Sequence, residues 1–241
     1  MASKGSQTHL KRRAAPRSWG VLRKSSTWIV KPQPGAHPIN ASLPILVIVR
    51  DMLKYADTNA EAKKIINAGE IKIDGRKVRD YKLPVGFMDL VSIDKTNEYF
   101  RVSYTQKGRV TLQKADQKNA GFKLCRIRGK KILRKGKTQL NLHDGRNIIT
   151  DDKKYKVGDV VKLEIPEQKI TDHYPLIENN MAYVTRGKHA GKIGVIAQTI
   201  PGKIESDPLV ILKAQDGTEF KTRKDYTFVI GRDKPAISIS E

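Results

Sequence analysis

The sequence predicts a mixed α+β fold that is mostly β, and three observations support it. The strongest helical periodicity lies between residues 43 and 69, where apolar residues recur three and four positions apart. Beyond it, apolar and polar residues alternate along many short segments, as in half-buried strands. Asp-Gly pairs at 74–75, 144–145 and 216–217 are typical of tight hairpin turns. The 241 residues have room for two or three small cores.

Two helices are predicted in succession. The first has one apolar stripe, formed by Ile45, Ile48, Val49, Met52, Leu53 and Ala56. Thr58 and Glu61 have the spacing of a capping box, which predicts the start of the second helix. Gly69 is the expected C-terminal glycine of that helix. Its buried face comprises Ala62, Ile65 and Ile66.

Strands are predicted for most of the remaining chain. Residues 70–73 alternate in period two, Asp74-Gly75 supplies a turn, and residues 76–78 return, so a hairpin follows the helices. Residues 90–93, 100–104, 110–112 and 161–165 form further strands. Five short segments with turn residues between them predict a small C-terminal barrel: Met181–Thr185, Ile193–Ala197, Leu209–Lys213, Thr218–Lys221 and Thr227–Ile230.

These patterns divide the chain into four parts. A basic, proline-rich arm covers residues 1–42, and the helix-helix-hairpin domain covers residues 43–106. A central β domain is expected over residues 107–172 and the barrel over residues 173–241. Because the arm has no apolar periodicity, we expect it to be mobile in the free protein and to become ordered on a ligand.

Positive charge dominates the composition. The 47 Lys and Arg against 25 Asp and Glu leave a net charge of +22. Residues 1–50 contain nine of these cations and no acid, and residues 107–137 contain twelve, with Asp116 as the one acid. A charge of this size attracts a polyanion, either a nucleic acid or an anionic membrane surface. Since no basic amphipathic helix is evident, nucleic acid is favoured.

Targeting to a membrane or an export route is not predicted. Prolines between residues 32 and 44 interrupt the longest uncharged stretch, and Lys11 to Arg17 place cations where a signal peptide has its apolar core. A mitochondrial presequence is disfavoured because Pro16 and Gly20 interrupt an amphipathic helix. The single Cys125 excludes an intramolecular disulfide and fits a reducing, cytoplasmic location.

Signals of an enzyme are weak. The five histidines have no metal-ligand spacing, and Cys125 has no partner nearby in sequence. The run from Gly187 to Lys192 has three residues before Gly-Lys rather than four, and Ile193 follows, so it is not a P-loop. Residues 143–147 fit a hairpin turn better than a catalytic loop. We expect no cofactor, no metal and no small-molecule substrate.

Two segments resemble known RNA-binding modules. The run Arg50-Asp51-Met52-Leu53-Lys54-Tyr55-Ala56 and residues 62–78 resemble the S4-type RNA-binding domain, in which two helices and a hairpin grip RNA. Where the usual pattern has a Ser-Arg pair opening the second helix, this chain has Asn59-Ala60-Glu61, which leaves the phosphate contact to Lys63 or Lys64. Residues 185–195 resemble the KOW motif of SH3-like barrels. Its glycines predict a loop that contacts RNA by backbone shape as well as by charge.

Over nearly its whole length the chain resembles the S4e family of archaeal and eukaryotic small-subunit ribosomal proteins. The similarity includes His9-Leu10-Lys11-Arg12, Gly86-Phe87-Met88-Asp89, Tyr104-Thr105-Gln106-Lys107-Gly108-Arg109 and Phe228-Val229-Ile230-Gly231. The resemblance implies a structural constituent of the ribosome that binds small-subunit ribosomal RNA (rRNA) beside neighbouring ribosomal proteins. The short C-terminus is more archaeal than eukaryotic in character. Two alternatives are an RNA-modifying enzyme and a transcription elongation factor. An RNA-modifying enzyme would need a further catalytic domain, for which this chain has no room. An elongation factor would not require the two clusters of cations.

The candidate RNA-binding residues come from the arm, the helix-helix-hairpin domain, the second cationic run and the KOW-like loop. They are Lys11, Arg12, Arg13, Arg17, Trp19, Arg50, Lys54, Lys63, Lys64, Lys72, Arg76, Lys77, Arg126, Arg128, Lys130, Lys131, Arg186, Lys188, His189 and Lys192. The cations are expected to neutralise phosphates, and Trp19 to stack on bases.

Overall fold

The protein, seen in a computed structural model that describes residues 9–202, 206–214, 216–232 and 234–237, divides into two compact units. The first unit lies within residues 1–102 and 109–114, and the second within residues 103–108 and 115–241. Both units contain more strands than helices among their described residues, and the predicted mostly-β α+β class is confirmed. The predicted boundaries of the four parts remain predictions.

The first unit contains the helices and a five-stranded antiparallel sheet of order β5-β4-β7-β8-β9, with two-stranded ribbons β1-β2 and β3-β6. Its helices are α1 (Ile45–Val47), continued by a π-helical turn over Ile48–Met52, and α2 (Asn59–Asn67). Its strands are β1 (Leu10–Lys11), β2 (Trp28–Ile29), β3 (Ser42–Pro44), β4 (Ile71–Ile73), β5 (Arg76–Lys77), β6 (Pro84–Gly86), β7 (Leu90–Ile93), β8 (Glu98–Tyr104) and β9 (Val110–Lys114). Short 3-10 turns cover Arg12–Ala14 and Ile39–Ala41.

The second helix and the hairpin form as predicted. The Thr58 hydroxyl accepts the Glu61 N–H at 3.3 Å, and the Glu61 carboxylate accepts the Thr58 N–H at 3.3 Å, so both halves of the capping box are present. Ala62 and Ile66 are fully buried, and Gly69 ends the helix with φ +74°. No helix in the described part of the chain has the length and apolar character needed to cross a membrane.

The first helix is shorter than its apolar stripe predicts. After Ile48 it widens into a π-helical turn, in which the Leu53 N–H donates to the Ile48 carbonyl at 2.9 Å. Lys54 then takes a left-handed conformation, with φ +57°. This ends the helix before Ala56 and reverses the chain, so that α2 can begin at its own cap. The prediction of one continuous helix to residue 56 was therefore wrong.

The described N-terminal residues, 9–42, belong to the first unit and make long-range contacts within it, unlike the separate extended arm that the sequence predicts. The Arg12 side chain is buried and donates to the Leu22 carbonyl and to Ser26 Oγ. The Trp19 indole N–H donates to the Ile39 carbonyl at 3.3 Å. His37 Nε2 lies 3.1 Å from the buried Asp89 carboxylate. These contacts join residues ten to fifty-two positions apart, which local periodicity does not reveal.

Replacing Arg12 by Met should loosen this segment. The variant loses the donors to Leu22 and Ser26, and the ion pair with Asp51 at 3.7 Å. Unpairing buried polar groups costs about 1–3 kcal/mol, so we expect tryptic cleavage after Lys24 in the free protein to accelerate roughly tenfold. The exposed neighbour Arg13 is the control, and Arg13→Met should leave the cleavage rate unchanged. Equal rates in the two variants would contradict the anchoring role of Arg12.

The second unit contains two five-stranded antiparallel sheets, of order β12-β11-β10-β13-β14 and β18-β17-β16-β15-β19. The central sheet comprises β10 (Phe122–Ile132), β11 (Thr138–Leu142), β12 (Asn147–Thr150), β13 (Val160–Glu164) and β14 (Ile170–Tyr174). The C-terminal sheet comprises β15 (Met181–Val184), β16 (Ile193–Ile200), β17 (Leu209–Lys213), β18 (Glu219–Arg223) and β19 (Thr227–Gly231). Short 3-10 turns cover Gln117–Gly121, Arg134–Gly136 and Lys224–Tyr226. All five predicted C-terminal strands are present.

Residues 103–108 are tied to the C-terminal sheet by one buried side chain. The Tyr183 hydroxyl donates to the Tyr104 carbonyl at 2.6 Å and accepts the Tyr104 N–H at 3.1 Å. Burial raises the pKa of Tyr183 to about 12, so the phenol stays protonated and keeps both roles at neutral pH. This fixes the course of the chain beside the loop between β15 and β16.

Candidate nucleic-acid interface

The predicted cations of the helix-helix-hairpin region fall into two groups. Four are exposed: Lys54, Lys64, Arg76 and Lys77. Arg50 is half-buried and its guanidinium holds the Asp51 carboxylate through two hydrogen bonds of 2.8 and 2.9 Å. The hydrogen bond to Asp51 raises the pKa of Arg50, although burial opposes it. Lys72 lies 2.7 Å from the Asp94 carboxylate. Arg50 and Lys72 thus already have anionic partners within the chain.

Lys63 contacts an aromatic ring. Its ammonium lies 4.5 Å from the centroid of the Tyr81 ring, and the Lys82 ammonium lies 5.6 Å from the same centroid. Such cation–π contacts hold long side chains in place without cancelling their charge. Two positive charges are therefore held at one aromatic side chain.

The hairpin brings its cations to the end of α2. Asp74 and Gly75 both have positive φ, +49° and +76°, as a type I′ turn requires, and the Asp74 carboxylate accepts the Leu90 N–H at 3.0 Å. A Cβ on Gly69 would lie within 4.0 Å of the Lys77 and Arg79 side chains. These cations lie at the C-terminal turn of α2, where positive charge is favoured by the helix dipole.

In the N-terminal segment, the structure separates exposed from buried candidates. Lys11, Arg13 and Arg17 are exposed. Arg12 is 6% exposed and Trp19 is 2% exposed. The Trp19 ring therefore has no free face for a base, and both side chains hold the segment in place instead of offering a surface to a ligand.

Three arginines from separate parts of the second unit converge. The Arg126 guanidinium donates to the carbonyls of Asp225 and Thr227, which joins β10 to the start of β19. Burial lowers the pKa of Arg126, the charge of Asp225 opposes this, and the positive charges of Arg128 and Arg186 lower the pKa further. Arg128 and Arg186 are themselves exposed. Like charges held together in this way are stabilised by an external anion.

The other candidates of β10 differ in their availability. Lys130 and Lys131 are both exposed, but the Lys130 ammonium donates to the carbonyls of Lys153 and Tyr155 at 2.9 and 3.0 Å. Within the same cationic run, Lys123 is 1% exposed and forms an ion pair of 3.0 Å with Asp144. Position in a basic run therefore does not by itself indicate a surface cation.

The loop between β15 and β16 contains two glycines with the predicted positive φ. At Gly191, a close approach of other backbone also requires glycine. Gly187 has φ +89° and Gly191 has φ +81°. A Cβ on Gly191 would lie 2.7 Å from the Thr105 carbonyl carbon and 2.7 Å from the Gln106 nitrogen. The close approach is therefore to the chain's own backbone. The structure thus gives Gly191 a packing role within the chain, and the contact of this loop with RNA remains a prediction.

The side chains of this loop remain available. Arg186, Lys188 and Lys192 are exposed, and the half-buried His189 ring lies 4.7 Å from the Phe220 ring. Burial, followed by the charges of Lys192 and Lys188, lowers the pKa of His189. His189 is therefore neutral at physiological pH in the free protein, and the three other side chains provide the charge of the loop.

One group of possible metal ligands occurs among the described residues. Ligand atoms of Cys125, His143 and Asp144 lie within 4.8 Å of one another. His143 Nδ1, however, accepts the Arg126 N–H at 3.2 Å, and the Asp144 carboxylate is held by Lys123 at 3.0 Å and by Arg146 at 3.3 Å. These lone pairs are already engaged, and two cations beside the carboxylate disfavour a metal ion. The group is explained as a buried ion-pair network.

Three protein-family models together match most of the segment between residues 4 and 170. The RS4NT domain model matches residues 4–40, the S4 domain model residues 44–91 and the model of the ribosomal family S4e residues 96–170. Among curated proteins, the small ribosomal subunit protein eS4 of Methanothermobacter thermautotrophicus is 48% identical over 99% of this chain and 98% of its own length. The chain belongs to the ribosomal S4e family. Members of this family are ribosomal proteins and not enzymes.

Further relatives support the same assignment. The small ribosomal subunit protein eS4 of Methanocaldococcus jannaschii is 46% identical over 99% of this chain and 100% of its own length. The crystal structure of the 30S ribosomal protein S4e from Thermoplasma acidophilum is similar over 80% of this chain and 96% of its own, with a TM-score of 0.69 and 40% identity. The S4e resemblance and its S4-type domain are thus confirmed.

Two exposed residues are absent from the list of candidates, although Trp28, like Trp19, lies among the cations of the predicted arm. Arg79 lies beside Lys77 at the end of α2, and Trp28 is 55% exposed on the N-terminal ribbon. Trp28 alternates with the buried Ile29 in β2, and this alternation was the available signal. Nothing in the local sequence marks Arg79, because its position beside Gly69 depends on contacts formed only after folding.

Proposed function

We propose that this chain is a structural component of the small ribosomal subunit, where it binds rRNA beside neighbouring ribosomal proteins in the cytoplasm. Binding uses the exposed cations of three regions: the N-terminal segment, the S4-type domain, and the KOW-like loop with β10. Phosphate neutralisation provides most of the affinity. The proposal includes no cofactor, catalytic step or small-molecule substrate.

The convergence of Arg126, Arg128 and Arg186 carries this proposal. These residues come from two regions about 60 positions apart in sequence; burial is the main cause of the lowered pKa of Arg126, and the charges of Arg128 and Arg186 lower it further. A free protein gains nothing from such repulsion, whereas a phosphate backbone relieves it. The names of the relatives and the S4 domain match support RNA of the small subunit as the polyanion. They disfavour a transcription elongation factor.

The salt dependence of rRNA-fragment binding tests the S4-type surface. Each phosphate contact adds about 0.7 to 0.9 to the slope of log K against log salt concentration. Replacing Lys54, Lys64, Arg76 and Lys77 together by Ala should therefore reduce the slope by about 3 if each contacts one phosphate. Thermal stability should change little, because all four side chains are exposed.

A matched variant separates local contacts from net charge. Lys95, Lys114, Lys154 and Lys169 are also exposed, but each is paired with a carboxylate: Glu70, Glu98, Asp152 and Glu167. Replacing these four by Ala removes the same number of positive charges. We expect a clearly smaller change in slope than for the first set. Equal changes would mean that rRNA senses only the net charge, and the assigned S4-type surface would be rejected.

A further inference from the structure

The β1-β2 ribbon presents one tryptophan to solvent. In this ribbon Leu10 pairs with Ile29, and Lys11 pairs with Trp28. Partners directly across an antiparallel ladder point to the same face. Ile29 is 7% exposed and Trp28 is 55% exposed, so the ribbon buries one face and exposes the other. The exposed face combines an indole ring with the Lys11 ammonium.

The surrounding contacts hold this indole in a defined place. The His9 ring lies 5.7 Å from the Trp28 ring, at an interplanar angle of 58°. The Ser26 hydroxyl donates to the Trp28 carbonyl at 3.2 Å. On the opposite face of the ribbon, the burial of Ile29 fixes the strand to the first unit. An exposed ring positioned in this way loses little conformational entropy when it binds a flat ligand.

The chemistry of the segment identifies the ligand class. Residues 9–50 contain no acid, and the exposed cations of the described N-terminal segment are Lys11, Arg13, Arg17, Arg23 and Lys24. An aromatic face among cations suits a ligand that has both a negative charge and a π-face. Single-stranded nucleic acid has both, since its unstacked bases can lie on aromatic side chains while cations follow its backbone. In a continuous duplex the bases are stacked on each other and the faces are not accessible.

We propose that Trp28 stacks on an unpaired nucleobase of the RNA, with Lys11 contacting an adjacent phosphate. The inference rests on the proposed function, because it assumes that the chain binds RNA. It replaces Trp19, which is buried, as the stacking residue of the N-terminal segment. Because stacking needs an unpaired base, the N-terminal segment would select a bulge, a loop or a strand end of the RNA.

Fluorescence of the two tryptophans provides a direct test in the full chain. Trp19→Phe leaves Trp28 as the reporter, and Trp28→Phe leaves the buried Trp19. The probes are a single-stranded oligoribonucleotide and an abasic analogue with the same number of phosphates. We expect the oligoribonucleotide, but not the abasic analogue, to quench the Trp28 reporter by stacking, and neither to quench the Trp19 reporter. Equal quenching by the two probes would overturn the proposal.

A second test compares the binding affinities of variants that keep Trp19. It therefore does not depend on the folding of the Trp19→Phe variant. Stacking of one base is worth about tenfold or more in affinity, so Trp28→Ala should weaken oligoribonucleotide binding by that factor and leave binding of the abasic analogue unchanged. Trp28→Phe should retain most of the affinity. Leu22→Ala is the control, since Leu22 is 77% exposed in the same segment but has no π-face. It should bind both probes like the unchanged chain.

The outcomes distinguish this inference from the proposed function. If the unchanged chain binds an rRNA fragment and Trp28→Ala binds the oligoribonucleotide equally well, the stacking site is rejected and the proposed function stands. If the unchanged chain binds no rRNA fragment, the proposed function fails and the inference fails with it. If phosphatidylserine vesicles shift the Trp28 reporter and the oligoribonucleotide does not, the ring binds a membrane surface and the inference is rejected.

Discussion

Gly191→Ala is expected to destabilise the second unit by about 2–4 kcal/mol. A side chain at positive φ costs about 1 kcal/mol, and forcing an extra carbon into a packed site costs about 1–3 kcal/mol more. The site is packed because the added Cβ would lie 2.7 Å from the backbone of both Thr105 and Gln106. These are backbone atoms next to Tyr104, which Tyr183 holds through two hydrogen bonds, and they cannot move aside as a flexible side chain could.

Gly217→Ala isolates the conformational part of this cost. Gly217 has a similar φ of +77°, and a Cβ there would meet nothing within 4 Å. We expect a loss of about 1 kcal/mol in the free energy of unfolding. Urea denaturation followed by far-UV circular dichroism measures both variants. Trp19 and Trp28 both lie in the first unit, so tryptophan fluorescence reports the unfolding of that unit separately. Equal losses in the two variants would contradict the close approach at residues 105–106.

Lys123→Met is expected to cost about 3–5 kcal/mol, because it leaves the Asp144 carboxylate buried without its main partner. Both side chains of the pair are 1% exposed and their charged atoms lie 3.0 Å apart. The double variant Lys123→Met with Asp144→Asn removes both charges and should recover more than half of the loss. Lys169→Met breaks the exposed pair with Glu167 and should change stability by less than about 1 kcal/mol. Losses of similar size in Lys123→Met and Lys169→Met would reject the role of the buried pair.

The same pair predicts a dependence on pH. Burial favours the neutral form of Asp144, but Lys123, His143 and Arg146 together lower the pKa of its carboxyl group in the folded state. The unfolded chain therefore binds this proton at a higher pH than the folded chain does. The stabilisation is present above the usual carboxyl range and is lost as the pH falls through the lowered pKa. In Lys123→Met this acid-dependent loss should become smaller, as urea denaturation between pH 7 and pH 3 would show.

Elements formed by contacts within a few residues were predictable. The capping box of Thr58 and Glu61, the end of α2 at Gly69 and the turn at Asp74-Gly75 each depend on neighbours at most four positions away. The C-terminal strands were likewise evident, because alternation along each strand records which side is buried. The first helix was overestimated, since its periodicity does not reveal the π-helical turn or the left-handed Lys54.

The candidate site was predictable as a set of cations but not as a surface. The sequence identifies the segments that are rich in basic residues, yet Arg12, Arg50, Lys72 and Lys130 turn their charges toward partners within the chain. Whether each of these cations is available to a ligand depends on the carboxylates and carbonyls that lie beside it in the folded chain. Neither charge runs nor spacing contains that information.

By itself, the sequence determined the family, the mostly-β class, the cationic character and the local start and end of most elements. Only the tertiary structure decided that Trp28 and not Trp19 faces solvent, that Lys123 pairs with Asp144, and that Arg126 and Arg186 converge. The physical reason is that local elements depend on hydrogen bonds and propensities of neighbouring residues. Burial and charge pairing depend on side chains that lie tens of positions apart and meet only when the chain has folded.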